Sequence, residues 1–290
     1  MNALYDVAAP AKLNLFLHVV GRRADGYHLL QSLFVLIDWC DSLHFERRSD
    51  GRLARHDLGA ALPPDDLCLR AARLLQSESG TSLGADISIA KSVPWGAGLG
   101  GGSSDAASTL LALNRLWALH WPRARLLALG LKLGADVPFF VGGQNALVEG
   151  IGERLTPVPV EPQWLAVIKP AASIETRAIF ASALLDRGTG PAILESFAAN
   201  AWQEVAATGF GRNDLQAAAQ AECAQVAQAG EMLQGQFGNS RMTGSGSAVF
   251  ARAGNGIEPV APMPANLAPG WVGRMCRSLG QHPLVGLAAD

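Results

Sequence analysis

The stretch Pro94–Ala107, PWGAGLGGGSSDAA, places five glycines between positions 96 and 102, followed by two serines and an aspartate. Glycine has no Cβ, so consecutive backbone N–H groups can close on a ligand that side chains would hold off. Ser103, Ser104 and Asp105 then open a run of apolar residues at helical spacing that continues to about Trp117. A glycine loop running into a helix offers unpaired N–H donors and the positive end of the helix dipole, a combination that binds phosphate. Upstream, Ala85–Ala90 (ADISIA) alternates as a strand. Strand, loop and helix in this order read as a phosphate-binding unit rather than a flexible linker.

The familiar phosphate loops do not fit. Gly96, Gly98 and Gly101 satisfy G-x-G-x-x-G, but Pro94 separates the strand from the first glycine. No second strand ending in an acidic residue follows about 20 residues later, because the chain reads as helical to Leu133. The four lysines (12, 91, 132 and 169) are never preceded by glycine, so no GK[ST] exists. The HRD and DFG signatures of protein kinases are absent too.

Composition narrows the class further. The chain has 290 residues, 49% hydrophobic and 17% charged, which describes a globular protein with room for one large or two ordinary domains. A formal net charge of −2 lacks the footprint of a general nucleic-acid binder. No run of about 18 apolar residues predicts a membrane span, and Asp6 and Lys12 disfavour a signal peptide, so a cytoplasmic location is expected. Four scattered cysteines without CxxC and six histidines without HExxH argue against a disulfide framework or zinc site.

Lys12–Val20, Leu33–Trp39 and Ser42–Arg47 read as strands, and Asp65–Gln76 as a helix capped by Asp65 or Asp66. A further helix is expected over Pro122–Leu133. Pro157, Pro159 and Pro162 mark a domain boundary, giving units of 1–158 and 159–290. Beyond it come a strand over Trp164–Ile168, helices around 175–185, 191–207 and 214–229, and strands over Ala248–Arg252 and Trp271–Cys276. This order suggests an α+β plait.

Three further positions invite chemistry. Lys12 and Asn14 lie two apart in the alternating segment PAKLNLFL and so face the same side of a strand. Lys12 is either a strand-edge lysine or a charge placed for use. Asp136, in GADVPFF, is either a helix cap or a base for a hydroxyl nucleophile, a role that phosphoryl transfer needs. Thr243–Ser247 (TGSGS) is either a tight turn or a second cradle.

In this order, the PAK strand, the P-x-G-x-G-L-G loop and the GSG turn resemble the GHMP kinase superfamily. PAKLNLFLHVVGRRADGYHLLQSLF, GLGGGSSDAA, GADVPFF, RNDL (212–215) and MTGSGSAVF extend that resemblance over nearly the whole chain, toward the branch acting on a cytidine-diphosphate-linked sugar alcohol. It implies an α+β fold with a ribosomal-S5-domain-2-like first domain, a ferredoxin-like second domain and an active site between them. It implies ATP and Mg²⁺, phosphorylation of a tertiary 2-hydroxyl in the non-mevalonate route to isoprenoid precursors, and a monomer or weak homodimer with no nucleic-acid or membrane partner. By the same resemblance Asp136 is the base and Lys12 its charged partner. Pro94, Trp95, Gly96, Ala97, Gly98, Leu99, Gly100, Gly101, Gly102, Ser103 and Ser104 hold the ATP phosphates, with Lys91, Asp66 and Leu67 near the nucleotide. Asn14, Thr176 and Gly244 lie at the acceptor; Tyr27 and Phe180 sandwich cytosine and His28 reads its edge. Ser104 is the candidate metal ligand beside ATP's own oxygens. Trp95 and Ala97 depart from the usual pattern of the loop. A sister kinase acting on another small alcohol, or a non-catalytic sensor on the same fold, is the competing expectation.

Overall fold

The computed structural model describes residues 1–190 and 211–290; the helix expected over 191–207 lies outside the described residues. Two strands organise the first half. β1 (Ala3–Arg22) and β2 (His28–Arg48) pair antiparallel along almost their whole length. The other edge of β2 is shared. Ser42–Arg48 pair with β4 (Gly84–Ala90), and Leu30–Phe34 with β5 (Ala146–Gly150). β3 (Leu53–Asp57) lies parallel to β4, and β6 (Arg154–Pro157) closes the sheet beyond β5. The sequence suggests two strands where β2 is one. Only Cys40 and Asp41 stand between Trp39 and Ser42, and a register shift against β1 absorbs the bend without breaking the strand.

Those shifts decide which way side chains point. Val7 and Ala9 face the helices, whereas Ala11, Leu13 and Leu15, of the same parity, face the second sheet. The exchange falls at the register shift between Pro10 and Ala11, where the partners jump from Cys40 to Ile37 and Asp38 and Trp39 of β2 are passed over. It turns Lys12 and Asn14 toward the helical side.

On that side pack α1 (Leu67–Ser79), α2 (Gly101–Leu116), α3 (Arg123–Leu133) and α4 (Val137–Gly142), burying Phe34, Leu36, Phe45, Leu75 and Leu110. The second sheet runs β10 (Val272–Arg277), β7 (Trp164–Lys169), β9 (Val249–Gly254) and β8 (Arg241–Met242), all antiparallel. Its Leu165, Val167 and Phe250 meet Leu13, Val35 and Ile37 of the first sheet. Its other face carries α5 (Thr176–Ala181), α6 (Gln216–Glu222) and α7 (Ala224–Phe237). The order is helices, sheet, sheet, helices, and each fully buried aliphatic or aromatic side chain contributes roughly 1.5–3 kcal/mol.

Other differences from the sequence reading are local. Cys223 adopts φ −146° and ψ 101°, ending α6 and starting α7 where one helix was expected. α5 stops at Ala181, short of 185. The last residues, including Leu284, Leu287 and Ala288, join the first core and not the second. Among the described residues no helix is long and apolar enough to cross a membrane.

Candidate active site

A cleft of about 560 Å³ opens between the two halves, a volume typical of small-molecule sites. The glycine loop forms one wall, with Lys12, Asn14 and Asp136 at its foot. Thr176, Phe180 and the 244–246 turn lie opposite.

Gly100 takes φ +72° as the N-cap of α2 and makes no side-chain cap bond. The first intrahelical donor is Ser104, to Gly100 O at 2.9 Å. The N–H groups of Gly101, Gly102 and Ser103 therefore have no helical acceptor. The loop is held from beneath mainly by backbone: Lys12 N donates to Leu99 O (2.9 Å), Ser247 N to Gly96 O (3.3 Å) and Ala248 N to Ala97 O (3.2 Å), with the Thr243 hydroxyl 3.5 Å from Gly98 O. Glycine is obligatory at 98, where a Cβ would lie 2.3 Å from Thr243 O at φ +72°. Ala97 is buried in this contact, whereas Trp95 stays 51% exposed at the rim of the cleft.

Lys12 is buried and points into the cleft. Its Nζ donates to Asn14 Oδ1 (2.5 Å), lies 4.6 Å from the centre of the Phe34 ring and stands 3.8 Å from Asp136 Oδ2. Burial lowers its pKa, and the Asp136 carboxylate acts against that shift. Asp136 occupies the N-cap position of α4, yet its side chain caps nothing and remains one-third exposed to the cleft. Gly130 lets α3 come close at this point; a Cβ there would sit 3.0 Å from Val137 Cγ1. Asn14 is fixed by Nδ2 donating to Ser32 Oγ (2.9 Å) and by N–H donating to Thr243 Oγ1 (2.9 Å). Thr176 and Ser245 share a hydroxyl–hydroxyl bond of 2.7 Å, tying α5 to the glycine turn.

Several expected residues have other engagements. Lys91 lines the cleft, but its ammonium is clasped by Asp41 and by Asp105 Oδ2 (2.6 Å). Asp41 also accepts from Ser92 N (2.6 Å) and Val93 N (2.8 Å), so the clasp secures the root of the loop. Burial pushes the Asp105 carboxyl up to about 7, against the pull of Lys91. Asp66 caps α1 through Leu69 N (3.0 Å) and pairs with Arg55 (2.8 Å), while Leu67 beside it lines the cleft. Ser104 is fully buried and does not line the cleft, and its Oγ has no hydrogen-bond partner among the described residues. Tyr27 is 62% exposed and, like His28, lies outside the cleft lining. His28 stacks directly on Phe180, with ring centres 4.9 Å apart, and its Nε2 accepts from Arg187 Nε at 3.4 Å.

Sequence reasoning missed Asp41 and Asn213. Asp41 is an acid closing an apolar strand segment, which was a usable signal. Asn213 belongs to RNDL, a motif whose spacing carries no role until the chain is folded.

Residues 66–144 match the profile of the GHMP kinases N terminal domain. The chain is 69% identical over 286 residues to 4-diphosphocytidyl-2-C-methyl-D-erythritol kinase of Methylibium petroleiphilum, covering 98% of each. It is 54% identical over 290 residues to the protein of the same name in Albidiferax ferrireducens, covering 100% of this chain and 97% of that one. A crystal structure of 4-(cytidine 5'-diphospho)-2C-methyl-D-erythritol kinase superposes with TM-score 0.73 at 37% identity, over 85% of this chain and 89% of the other. Homoserine kinase from Cytophaga hutchinsonii shares the fold, with TM-score 0.69 at 14% identity, over 97% of this chain and 96% of that one.

Proposed function

The chain belongs to the family of 4-diphosphocytidyl-2-C-methyl-D-erythritol kinases within the GHMP kinases, and from that premise we propose that Asp136, Lys12 and the loop 94–104 carry its chemistry. The protein is an ATP-dependent kinase of the non-mevalonate pathway to isoprenoid precursors. It transfers a phosphoryl group to the 2-hydroxyl of 4-diphosphocytidyl-2-C-methyl-D-erythritol, giving the 2-phosphate and ADP.

The observation that carries the residue assignment is the position of Asp136. It is a carboxylate free of any cap bond, 3.8 Å from a buried ammonium, at the foot of the glycine loop. Phosphoryl transfer asks the protein mainly to position groups and to balance charge. In the proposed step Asp136 takes the proton of the attacking hydroxyl, the new O–P bond forms, and the bond to the ADP oxygen breaks. Lys12 balances the charge of Asp136 at 3.8 Å and offsets charge developing on the phosphoryl oxygens. The free N–H groups of Gly101, Gly102 and Ser103 receive the phosphates of ATP. Asn14 positions Lys12 and faces the acceptor, with Thr176 and the Gly244 turn opposite. Phe180 and His28 supply the aromatic surface for cytosine, with Tyr27 on the adjoining turn.

Mg²⁺ in this proposal arrives with ATP. Among the described residues no group of three or more His, Cys, Asp or Glu could hold a metal, and Ser104 is buried away from the cleft. ATP phosphate oxygens and water then supply most of its ligands, with at most one or two protein groups beside them.

ADP release with Mg-ATP tests the whole assignment, comparing 4-diphosphocytidyl-2-C-methyl-D-erythritol with the same sugar-alcohol phosphate lacking CMP. Turnover with the cytidyl compound alone is expected. Equal turnover with both would remove the cytosine site.

A further inference from the structure

Asn213 touches neither the cleft nor Asp136, yet its side chain is placed where the second sheet grips the active-site turn. It is buried at the start of α6. Its Nδ2 donates to Met242 O and Gly244 O, both at 2.8 Å, and its Oδ1 accepts from Leu215 N at 2.9 Å. Both amide protons and one carbonyl lone pair are used, which fixes the amide's orientation, since a flipped amide would set three like groups against one another. Asp supplies no donor there. Gln is one methylene too long.

The turn that Asn213 holds has several further attachments. Gly246 N closes it onto Thr243 O (3.0 Å), and Ser247 N and Ala248 N bond the loop at Gly96 and Ala97. Gly244 is packed so closely on the loop that a Cβ would lie 2.9 Å from Gly98 O. The Thr243 hydroxyl accepts from Asn14 N (2.9 Å) and lies 3.2 Å from Asn14 Oδ1, the atom that receives the Lys12 ammonium. The backbone around Asn213 is anchored on β1 as well. Leu17 N donates to Arg212 O (3.1 Å), Asp214 N to Leu17 O (2.8 Å), and Val19 N to Asp214 Oδ2 (2.8 Å). Asn213 therefore stands between a fixed point on β1 and a turn that touches both the phosphate loop and the Lys12–Asn14 pair.

We infer that Asn213 is a positioning residue for phosphoryl transfer, setting the 243–246 turn and through Thr243 and Asn14 the placement of Lys12 against Asp136. The inference rests on the proposed roles of Lys12 and Asp136. A displacement of about 1 Å at reacting groups costs on the order of 100-fold in rate, so the turn has to be set more tightly than folding alone requires.

The test is Asn213→Asp, which keeps the shape and turns the two donors into an acceptor facing two carbonyls. Its control is Asn239→Asp. Asn239 bonds in the same way in the same sheet, donating to Phe237 O (2.9 Å) and Arg252 O (3.1 Å) and accepting from Arg252 N (2.7 Å), away from the cleft. Both variants are assayed well below their melting temperatures, with kcat expressed per folded molecule. Asn213→Asp is expected to lose about 10- to 100-fold in kcat, and Asn239→Asp to keep its kcat while losing stability. If both keep wild-type kcat, Asn213 is only structural and the inference falls. Should Asn213→Asp fail to fold, Thr243→Val tests the next link; a comparable fall in kcat supports the relay and an unchanged kcat overturns it. Asp136→Asn run alongside separates the two readings. Full activity in that variant removes the base assignment itself, whereas an inactive Asp136→Asn beside a fully active Asn213→Asp removes only the relay.

Discussion

Asp136 and Asp105 are two carboxylates a few residues from glycine that the fold treats in opposite ways. Asp136 is left partly in solvent with one distant cation. Asp136→Asn is expected to bind ATP as the wild type does while losing about 10²–10⁴-fold in kcat; nucleotide affinity by calorimetry and kcat by ADP release check both halves. Asp105 is enclosed, shares Lys91 with Asp41 and leaves Oδ1 without a partner among the described residues. Burial holds its folded pKa at about 7, above the ordinary carboxyl value of 3.8. A raised folded pKa means the folded state holds the proton more tightly, so this contribution is complete below about pH 4 and lost as pH rises to about 7. Asp105→Asn mimics the protonated form. Its Tm relative to wild type is expected to rise between pH 4 and pH 8, and a pH-independent difference would count against the shifted carboxyl.

At the level of elements, the glycines of the loop divide by what they meet. Gly98 is left-handed and pressed on Thr243 O. Gly98→Ala adds about 1–2 kcal/mol of left-handed strain before the clash, so both Tm and nucleotide binding are expected to fall. Gly102 lies in α2, and a Cβ there meets only Leu67 Cδ1 at 3.7 Å. Gly102→Ala is therefore expected to hold or raise Tm, because alanine favours a helix by about 1 kcal/mol, while raising the KM for ATP by crowding the phosphates. Differential scanning fluorimetry with and without nucleotide distinguishes the two variants. The loop and α2 were legible in the sequence because close approach demands glycine whatever surrounds it. β3, β5, β6 and α4 were not read as elements. They are short, and their pairing with β2 and β4 or packing on α3 defines them more than any periodicity of their own.

Across the whole molecule, the chain returns to its first core at the end. Arg123 on α3 donates to Val141 O (2.7 Å), Ala288 O (2.9 Å) and Asp290 Oδ1 (2.6 Å), and His282 N donates to Gly143 O (2.8 Å). The tail thus braces the far end of α4 from Asp136. His282 is fully buried, its Nδ1 accepts from Leu284 N (3.1 Å), and burial followed by the charge of Arg123 lowers its pKa to about 4. Between the ordinary histidine value of 6.5 and about 4 the unfolded chain binds a proton that the folded chain does not. Stability therefore falls as pH drops through that window, by ~3 kcal/mol. His282→Asn keeps an acceptor for Leu284 N and cannot take up the proton. Its Tm is expected to fall less than that of the wild type between pH 6.5 and 4; parallel curves would remove His282 as a cause.

The residue types for phosphate binding and proton transfer, their order, and the family they resemble were all present in the linear chain. Backbone access and charge are properties that a residue carries with it. Which of those residues meet was decided by tertiary structure. A register shift after Pro10 turned Lys12 toward Asp136, about 120 residues away in sequence. Two carboxylates took up the charge of Lys91, α2 buried Ser104, and Asn213 acquired its contacts only when the second sheet folded against β1. Such outcomes depend on registers and burials summed over distant segments, and no local pattern records that sum.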